Sequence, residues 1–379
     1  MKFVFAPDSF KGTLSSQEII DILTEKAQQH FKDVQTQGVL IADGGEGTIA
    51  AVEQMKGGSR RYLEVTGPLG EKVNAHYLRL NEKQVLIEMA TASGITLIPY
   101  REGNALYTTS YGTGEMIKDA LASGADDIII SIGGSATNDG GMGMLMALGV
   151  RFLDKDGKEL EPVGKNLLNI AKIDTASLNR RVKTANFTVM CDVTNPLIGP
   201  NGATYVFGPQ KGANAKQLKL LESGMKNYAA KIKETLGADV ANLPGGGAAG
   251  GMGAALTAFC GASLQSGIKT ILDLINFENI IADADLIITG EGRIDGQSAG
   301  GKVLDGIGRY AKKRNIPVIA LTGGMGDNAH LVYDCGIDSI MVTVNAPMSL
   351  DTALTHAEPL LADCADRLFR FIKIGMNLR

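Results

Sequence analysis

Both ends of the sequence alternate between short apolar runs and amphipathic stretches. Residues 2–6 predict a buried strand, the capping box Ser15–Glu18 predicts the start of a helix, and residues 38–42 predict a second strand. The alternation returns at residues 285–289 and continues through the last hundred residues. Because strand–helix–strand repeats build a parallel sheet covered by helices, the two ends predict one α/β domain.

The middle of the chain follows a different pattern. Residues 61–66, 72–80 and 84–90 predict three strands joined by short turns, and such turns favour antiparallel pairing. A length of 379 residues also exceeds the usual size of one hydrophobic core. We therefore expect a second, mixed-sheet α/β domain inserted into the first.

Composition excludes several classes of partner. The net charge is −4 and no basic stripe is visible, so nucleic acid and anionic membranes are not expected partners. No apolar run approaches the ~18 residues of a membrane span. Four widely spaced cysteines are typical of reduced thiols, and the first residues do not resemble a signal peptide. We expect a cytoplasmic protein.

Glycine is the compositional outlier. The chain has 48 glycines, where an average composition of about 7 % would give roughly 27. They cluster after apolar runs, where ligands bind in open α/β sheets. Five such segments also carry carboxylates: APDSFKGT (6–13), ADGGEGT (42–48), IGGSATNDGG (132–141), CDVTNPLIGPNGA (191–203) and TGEGRIDGQSAGGK (289–302).

The segment 132–141, here called the glycine loop, predicts an anion site. Glycine lets backbone N–H groups converge on phosphate, and a helix start adds free donors. Asp139 would then be free to face a metal. The alternative is a set of tight turns in which Asp139 caps the following helix.

The same five segments contain carboxylates but no histidine. No H-x-x-x-H pattern occurs, so zinc is not expected. Oxygen ligands suit Mg²⁺, and phosphoryl transfer needs Mg²⁺, cations and a carboxylate near the acceptor hydroxyl. The candidate carboxylates are Asp8, Asp43, Glu46, Asp139, Asp192, Glu291 and Asp295, and the candidate cations are Lys11, Lys211, Arg293 and Lys302. Glu88, within an apolar strand, is interpreted as a satisfied buried carboxylate or a residue at the domain junction.

Three familiar motifs match imperfectly. Residues 296–302 fit G-x-x-x-x-G-K, but Val303 replaces the hydroxyl residue that binds Mg²⁺. Ser298 lies in a G-x-S-x-G pattern, too far from the preceding strand for a nucleophile elbow. Residues 245–250 fit G-x-G-x-x-G without a clear strand before them, so close packing is a better interpretation than an NAD site.

The segments together resemble the type 1 glycerate kinase family. The resemblance spans essentially the whole chain, in order, through APDSFKGTLS, ADGGEGT, VTGPLGEKV, EMATASG, TSYGTGE, IGGSATNDGGMGM, CDVTNPLIGPNGA, FGPQKGA, GGGAAGGMGAA and ITGEGRIDGQS followed by GK. It implies ATP-dependent phosphorylation of D-glycerate, most simply at the 2-hydroxyl, with Mg²⁺. It also implies a discontinuous flavodoxin-like domain (1–65 with 280–379), an inserted domain (66–279) and an active site in the cleft between them.

On this resemblance we infer roles for single residues. The catalytic set is Asp8, Lys11, Asp192, Arg293 and Asp295. The ATP-binding set is Gly133, Gly134, Ser135, Thr137, Asn138 and Lys302. The substrate-binding set is Ser9, Gly44, Gly45, Asn195 and Lys211. The metal-binding set is Asp43, Glu46, Asp139 and Glu291.

Some alternatives stay open at this point. A serine hydrolase using Ser298 and a non-catalytic sugar-acid-binding protein are the competing functions. The sequence does not decide between the 2- and 3-hydroxyl, nor which of Asp8, Asp192 and Asp295 accepts the proton. A homo-oligomer is possible, and the small-molecule partner is glycerate.

Overall fold

The computed structural model describes residues 1–41, 44–45, 47–101, 104–300 and 302–377. The chain forms two compact units, Met1–Asp43 with Ile268–Arg379, and Gly44–Gly267. The expected boundaries were 65/66 and 279/280. The first differs because residues 59–66 pair with the strand that follows them and so belong to the second unit.

The strands and helices are numbered in chain order. The strands are β1 Lys2–Pro7, β2 Gln35–Gly38, β3 Ser59–Thr66, β4 Lys72–Arg79, β5 Gln84–Glu88, β6 Asp127–Ser131, β7 Arg151–Leu153, β8 Lys172–Asp174, β9 Asn186–Met190, β10 Ser263–Gln265, β11 Leu286–Ile294, β12 Val318–Met325 and β13 Ser339–Val342. The α-helices are α1 Ser16–His30, α2 Thr48–Lys56, α3 Ala90–Ser93, α4 Asn104–Tyr107, α5 Tyr111–Ala122, α6 Met142–Ala147, α7 Ala203–Phe207, α8 Ala215–Leu236, α9 Ala248–Cys260, α10 Gly267–Leu274, α11 Phe277–Ile280, α12 Val303–Arg314, α13 Leu350–Thr355 and α14 Ala357–Asn377. Short 3₁₀ helices cover Ile95–Leu97, Gly164–Asn169, Arg180–Lys183, Pro209–Lys211 and Ala329–Cys335.

The first unit is built on a parallel sheet of order β13-β12-β11-β1-β2. Counted along the chain this is the 2-1-3-4-5 order of flavodoxin-like folds. The interior strand β1 is an apolar run, and its Phe3 packs against Phe31 and Phe369, which belong to the core between α1 and α14. The expected parallel-sheet α/β fold from both chain ends is confirmed.

The second unit contains a mixed sheet of order β10-β9-β6-β5-β4-β3. Strands β3, β4 and β5 pair antiparallel, as their short turns predict, while β5, β6, β9 and β10 run parallel. Glu88, Ser131, Met190 and Gln265 are register partners across the parallel strands. The loops that follow these four residues therefore leave the sheet at one edge.

One element differs from expectation. The predicted strand at 38–42 was wrong, since β2 ends at Gly38, where a Cβ would lie 2.5 Å from Ile20 Cγ2. The apolar residues Val39 and Ile41 are buried without continuing the strand.

Among the residues that the structure describes, none of the helices combines the length and apolar character needed to cross a bilayer.

Candidate functional site

In the second unit, glycine segments meet at the edge where the parallel strands end. A Cβ at Gly133 would lie 2.9 Å from Gly45 Cα, and one at Gly44 would lie 3.3 Å from Gly267 Cα. These approaches are backbone against backbone and leave no room for side chains. The structure thus brings together Gly44, Gly45 and Gly133, which the sequence assigned to substrate and nucleotide.

The glycine loop is held in one shape by its own backbone bonds. Ile95 N–H donates to Gly134 O at 2.8 Å, and Ala136 N–H donates to Ser93 O at 2.9 Å. Gly134 has a φ of 72°, a left-handed conformation that L side chains rarely adopt. A pre-shaped loop loses little entropy when it binds a ligand.

Asp139 lies inside the protein, and its carboxylate accepts four hydrogen bonds. Oδ2 accepts from the Ser110 N–H at 2.8 Å, the Ser110 hydroxyl at 2.7 Å and the Gly143 N–H at 3.1 Å, while Oδ1 accepts from the Gly141 N–H at 3.0 Å. Burial raises the pKa of Asp139, and these bonds oppose that shift. The geometry favours the capping alternative over the metal ligand, because the carboxylate already orders the start of α6.

Lys211 is likewise buried, at 4 % exposure. Its ammonium donates to the Ser135 hydroxyl at 2.8 Å and to Thr137 O at 2.7 Å. Burial lowers the pKa of Lys211 to about 7, and the charge of Asp139 opposes that shift. Lys211 therefore contacts the glycine loop from inside the fold. A neutral amine keeps two N–H donors, enough for both acceptors.

Thr137 and Asn138 present buried polar atoms within the same loop. Asn138 Nδ2 donates to Thr204 Oγ1 at 3.3 Å. Within the described part of the chain, Asn138 Oδ1 and Thr137 Oγ1 have no hydrogen-bond partner. Unsatisfied buried polar atoms are costly, so a ligand or ordered water would stabilise them.

Asp192 and Asn195 stabilise the second loop, 191–203, at the same sheet edge. Asp192 Oδ1 accepts from the Gly267 N–H at 2.9 Å, which ties the ends of β9 and β10 together. Asn195 Nδ2 donates to Asn201 O at 2.8 Å, across the loop. Both side chains thus have structural partners, and their expected roles in catalysis and substrate binding stay predictions.

Two contributors to this edge were missed by sequence reasoning. Ser110, in the TSYGTGE segment, bonds Asp139 through both its N–H and its hydroxyl. Glu222, buried on α8, accepts from the Gly199 N–H at 2.8 Å and so holds the second loop. A polar residue at an otherwise apolar position of α8 was the available signal for Glu222.

The first unit has its own cluster at the end of β1, beside the second half of β11. Pro7 and Gly290 are register partners, and Asp8 N–H donates to Gly290 O at 2.9 Å. Ser9 N–H donates to Asp8 Oδ1 at 2.7 Å, which turns the chain away from the sheet. This pairing places Asp8 beside the segment that begins with Glu291.

Glu291 lies in a mixed electrostatic environment. Burial raises the pKa of its carboxyl, a hydrogen bond from Ser298 and the charge of Lys302 lower it, and the charges of Asp8 and Asp295 raise it again. Among the described residues its buried Oε1 has no hydrogen-bond partner. A cation near Oε1 would satisfy this oxygen and reduce the repulsion among the three carboxylates.

Asp295 and Arg293 follow on the same strand and its turn. Arg293 Nε lies 3.8 Å from Asp295 Oδ2, and the Arg293 side chain is 72 % exposed. Asp295 Oδ1 accepts from the Gln297 N–H at 2.9 Å. The guanidinium is therefore accessible to an anion, while Asp295 also shapes the turn.

Ser298 is buried at 2 % exposure, and its Oγ accepts from the Asp295 N–H at 3.2 Å. It is part of a tight turn and not an exposed nucleophile on a strand-to-helix elbow. Gly301, which completes the G-x-x-x-x-G-K match, lies outside the described residues, as do the expected metal ligands Asp43 and Glu46.

Glu88 is a satisfied buried carboxylate, one of the two interpretations given above. It accepts from the Gly47 N–H at 2.8 Å and from the Ile49 N–H at 3.2 Å, at the start of α2. A carboxylate there satisfies N–H groups that lack helical partners and complements the helix dipole. Within the described ranges, no three His, Cys, Asp or Glu residues are arranged to hold a metal by themselves.

Comparisons with known proteins identify the family. The family model described as "Glycerate kinase family" matches residues 3–373. The chain is 46 % identical to "Glycerate 2-kinase" of Escherichia coli K12 over 100 % of its length and 99 % of the relative's, and 42 % identical to "Glycerate kinase" of Bacillus subtilis 168 with the same coverage.

A solved structure agrees at the level of the fold. It is a crystal structure from Salmonella typhimurium LT2, provisionally assigned as glycerate kinase 2, with a TM-score of 0.86 and 43 % identity, and the match covers 100 % of this chain and 99 % of that one. The family match and these whole-length similarities establish that the chain belongs to the glycerate kinase family.

Proposed function

We propose that this protein transfers the γ-phosphoryl group of ATP to D-glycerate, at the 2-hydroxyl, and releases 2-phosphoglycerate and ADP. The observation that carries the proposal is the 46 % identity, over the whole chain, to a relative named glycerate 2-kinase. We propose the 2-hydroxyl as the acceptor because that relative is named a glycerate 2-kinase. The location in the cytoplasm and the formation of a homo-oligomer stay predictions, as does an active site between the two domains.

The glycine loop supports the nucleotide side of the proposal. It combines a fixed backbone, left-handed glycine and small side chains directly after β6, features that suit the binding of phosphate oxygens. We assign Gly133, Gly134, Ser135, Thr137 and Asn138 to the phosphates, with Lys302 as a further cation. Thr137 Oγ1 and Asn138 Oδ1 have no hydrogen-bond partner among the described residues, which agrees with a loop whose polar atoms bind a ligand or water.

The acceptor side is assigned to residues that the sequence analysis gave to the substrate. We assign Ser9, Gly44, Gly45 and Asn195 to D-glycerate. The exposed guanidinium of Arg293 is suited to a carboxylate or to a transferring phosphoryl group, since its planar donors bind such oxygens in pairs. Lys11 is the second proposed cation.

Proton transfer from the attacking hydroxyl requires a carboxylate. Asp8, Asp192 and Asp295 are the proposed candidates, and each follows a parallel strand. Asp192 and Asp295 each accept a backbone hydrogen bond through Oδ1, which fixes the orientation of both carboxylates. We keep all three candidates because their side chains lie at strand ends typical of active-site loops.

Glu291 fits a cation site in the first unit. Its Oε1 is buried without a hydrogen-bond partner among the described residues, and Asp8 and Asp295 lie near enough to raise its pKa. Mg²⁺ in kinases is held through one or two carboxylates plus substrate phosphates, so three protein ligands are not needed. We propose Glu291, with Asp43 and Glu46, as the residues that hold Mg²⁺; Asp139 is not included, because its oxygens are engaged. When bound, the ion would neutralise charge on the phosphate oxygens.

The hydrolase alternative has little support. Ser298 is buried, and its hydroxyl both accepts from the Asp295 N–H and hydrogen-bonds the Glu291 carboxylate, so it is held inside the turn. A nucleophile needs an exposed oxygen beside a base. The sugar-acid-binding alternative would need no ATP and no metal.

The proposal is tested by measuring ADP release from Mg-ATP with and without D-glycerate. We expect release that requires both D-glycerate and the metal and that stops when the metal is chelated. The matched pair Arg293→Ala and Arg309→Ala compares two exposed arginines that each contact a carboxylate. Only Arg293→Ala should lower turnover, by at least tenfold. Glycerate-independent ADP release, or none, would contradict the proposal.

A further inference from the structure

The segment GGGAAGG (245–251), here called the connector segment, has an unusual backbone. Ala249, Gly250 and Gly251 are successively left-handed, with φ of 51°, 66° and 99°. Left-handed backbone is unfavourable for alanine and persists only where the surroundings impose it. The shape of the connector segment is therefore determined by what it packs against.

On one side the connector segment meets the glycine loop. A Cβ on Gly250 would lie 2.0 Å from Thr137 O and 2.7 Å from Asn138 Cα. Gly140 N–H donates to Gly250 O at 2.9 Å, which fixes the two backbones together. No side chain fits at position 250 unless the glycine loop moves.

On the other side it meets the second loop. Gly247 N–H donates to Asn195 O at 2.9 Å. A Cβ on Gly247 would lie 2.2 Å from Pro196 O and 3.0 Å from Asn195 O. The contact is again between backbones, so neither partner can adjust by changing a rotamer.

The carbonyl of Thr137 is restrained by two groups. Lys211 Nζ donates to it at 2.7 Å, and Gly250 packs against it. Lys211 and the connector segment therefore together restrain the glycine loop at Thr137. Its contacts place the glycine loop and the Asn195 backbone at one fixed separation within the second unit.

We propose that the connector segment is a positioning element for phosphoryl transfer, with Gly250 setting the glycine loop and Gly247 setting the second loop. This inference rests on the proposed function. In this proposal neither glycine is a substrate-binding residue. They act through the loops assigned to the nucleotide and to Asp192 and Asn195, and a loop displaced by one ångström misplaces the reacting groups.

The test uses Gly250→Ala with Gly261→Ala as its matched control. Gly261 ends the same helix with a φ of 65°, nearly that of Gly250, but no atom of the described residues lies within 4 Å of its Cβ position. Both variants therefore carry the same backbone strain, and only Gly250→Ala pushes on the glycine loop. The readouts are the affinity for Mg-ATP by titration calorimetry, and kcat and KM with D-glycerate.

The two variants are compared at a temperature where both are fully folded. We expect Gly250→Ala to bind Mg-ATP at least tenfold more weakly than Gly261→Ala. Equal affinities and equal kinetic constants would overturn the inference. A wild-type protein that binds no Mg-ATP would overturn the proposed function and this inference together.

If Gly250→Ala does not fold, Gly247→Ala tests the proposal instead. Gly247 has a φ of −78°, so alanine adds no left-handed strain there and acts only through its contact with the second loop. We expect kcat at least tenfold below that of Gly261→Ala, together with a raised KM for ATP, because the two loops are connected. A kcat and a KM equal to those of Gly261→Ala would overturn the inference.

Discussion

The Lys211 ammonium donates a hydrogen bond to the Ser135 hydroxyl at 2.8 Å, from inside the fold. A group that the sequence suggests as a cation for substrate thus lies beneath the loop assigned to phosphate. It stabilises the loop, and it does so without needing its charge, because a neutral amine keeps the donors for Ser135 and Thr137.

The first prediction concerns stability against pH at Lys211. Its pKa falls from 10.5 to about 7 on folding. Between these values the unfolded chain holds a proton that the folded chain has released, so the free energy of unfolding should rise with pH from about 7 upwards, by at most ~1.4 kcal/mol per pH unit. Urea unfolding of wild type and Lys211→Met from pH 6.5 to 9 measures this.

Subtracting the unfolding free energy of Lys211→Met from that of wild type cancels the contributions of the other titrating groups. The difference in unfolding free energy, wild type minus Lys211→Met, should increase across this range. A difference that stays constant, or that decreases with pH, would mean that Lys211 remains charged in the folded protein.

The second prediction concerns Asp139. Asp139→Asn replaces an oxygen that accepts backbone N–H groups with an amide that donates, so unfolding should become easier by about 2–4 kcal/mol. In combination with Ser110→Ala the effects should not add, with a coupling of about 1 kcal/mol or more. Chemical unfolding of the two single variants and the double variant gives both numbers.

A metal ligand at this position would behave differently. Activity is measured at a low temperature where Asp139→Asn is folded. The Mg²⁺ concentration for half-maximal activity should then be the same in Asp139→Asn and in wild type. A large rise in that concentration, with little loss of stability, would restore Asp139 as a ligand.

The sequence predicts the architecture well because its signals are local. Periodic apolar runs and short turns indicate a parallel sheet at the chain ends and antiparallel strands within, and the capping box at Ser15 and Glu18 marks the first helix. The strand expected at 38–42 fails because burial of Val39 and Ile41 is a tertiary effect, which an apolar run does not distinguish from strand pairing.

The roles of charged residues are harder to predict than their location. Asp8 and Asp192 lie just after strands, as the glycine pattern suggests, whereas Asp139 lies at the start of α6. Whether a carboxylate is free depends on donors distant in sequence, such as Ser110 for Asp139, 29 residues away. The connector segment illustrates the same limit: its glycines match a dinucleotide pattern, but the contacts of Gly250 and Gly247 are with other backbones.

The third prediction concerns Glu88. Glu88→Gln leaves one oxygen to accept from the Gly47 and Ile49 N–H groups and weakens the favourable charge at the start of α2. We expect a loss of about 1–3 kcal/mol in unfolding free energy. The control is Glu82→Gln in the exposed turn before β5, which should change stability by less than about 0.5 kcal/mol. Equal effects of the two variants would contradict the capping role.

The fourth prediction separates the kinase from the hydrolase. Ser298→Ala removes a hydroxyl that accepts from the Asp295 N–H and hydrogen-bonds the Glu291 carboxylate in a buried turn. We expect a loss of about 1 kcal/mol in stability and a kcat for ATP-dependent turnover within about tenfold of wild type. Complete loss of activity in a folded Ser298→Ala protein, measured by ADP release, would favour a nucleophilic serine.

The central claim is tested most directly by identifying the product. Purified protein would be incubated with ATP, Mg²⁺ and D-glycerate, and the reaction followed by ³¹P NMR with authentic phosphoglycerates as references. We predict a resonance of 2-phosphoglycerate that grows as ATP is converted to ADP. No phosphoglycerate in the presence of folded, ATP-binding protein would contradict the account, and 3-phosphoglycerate as the product would contradict its regiochemistry.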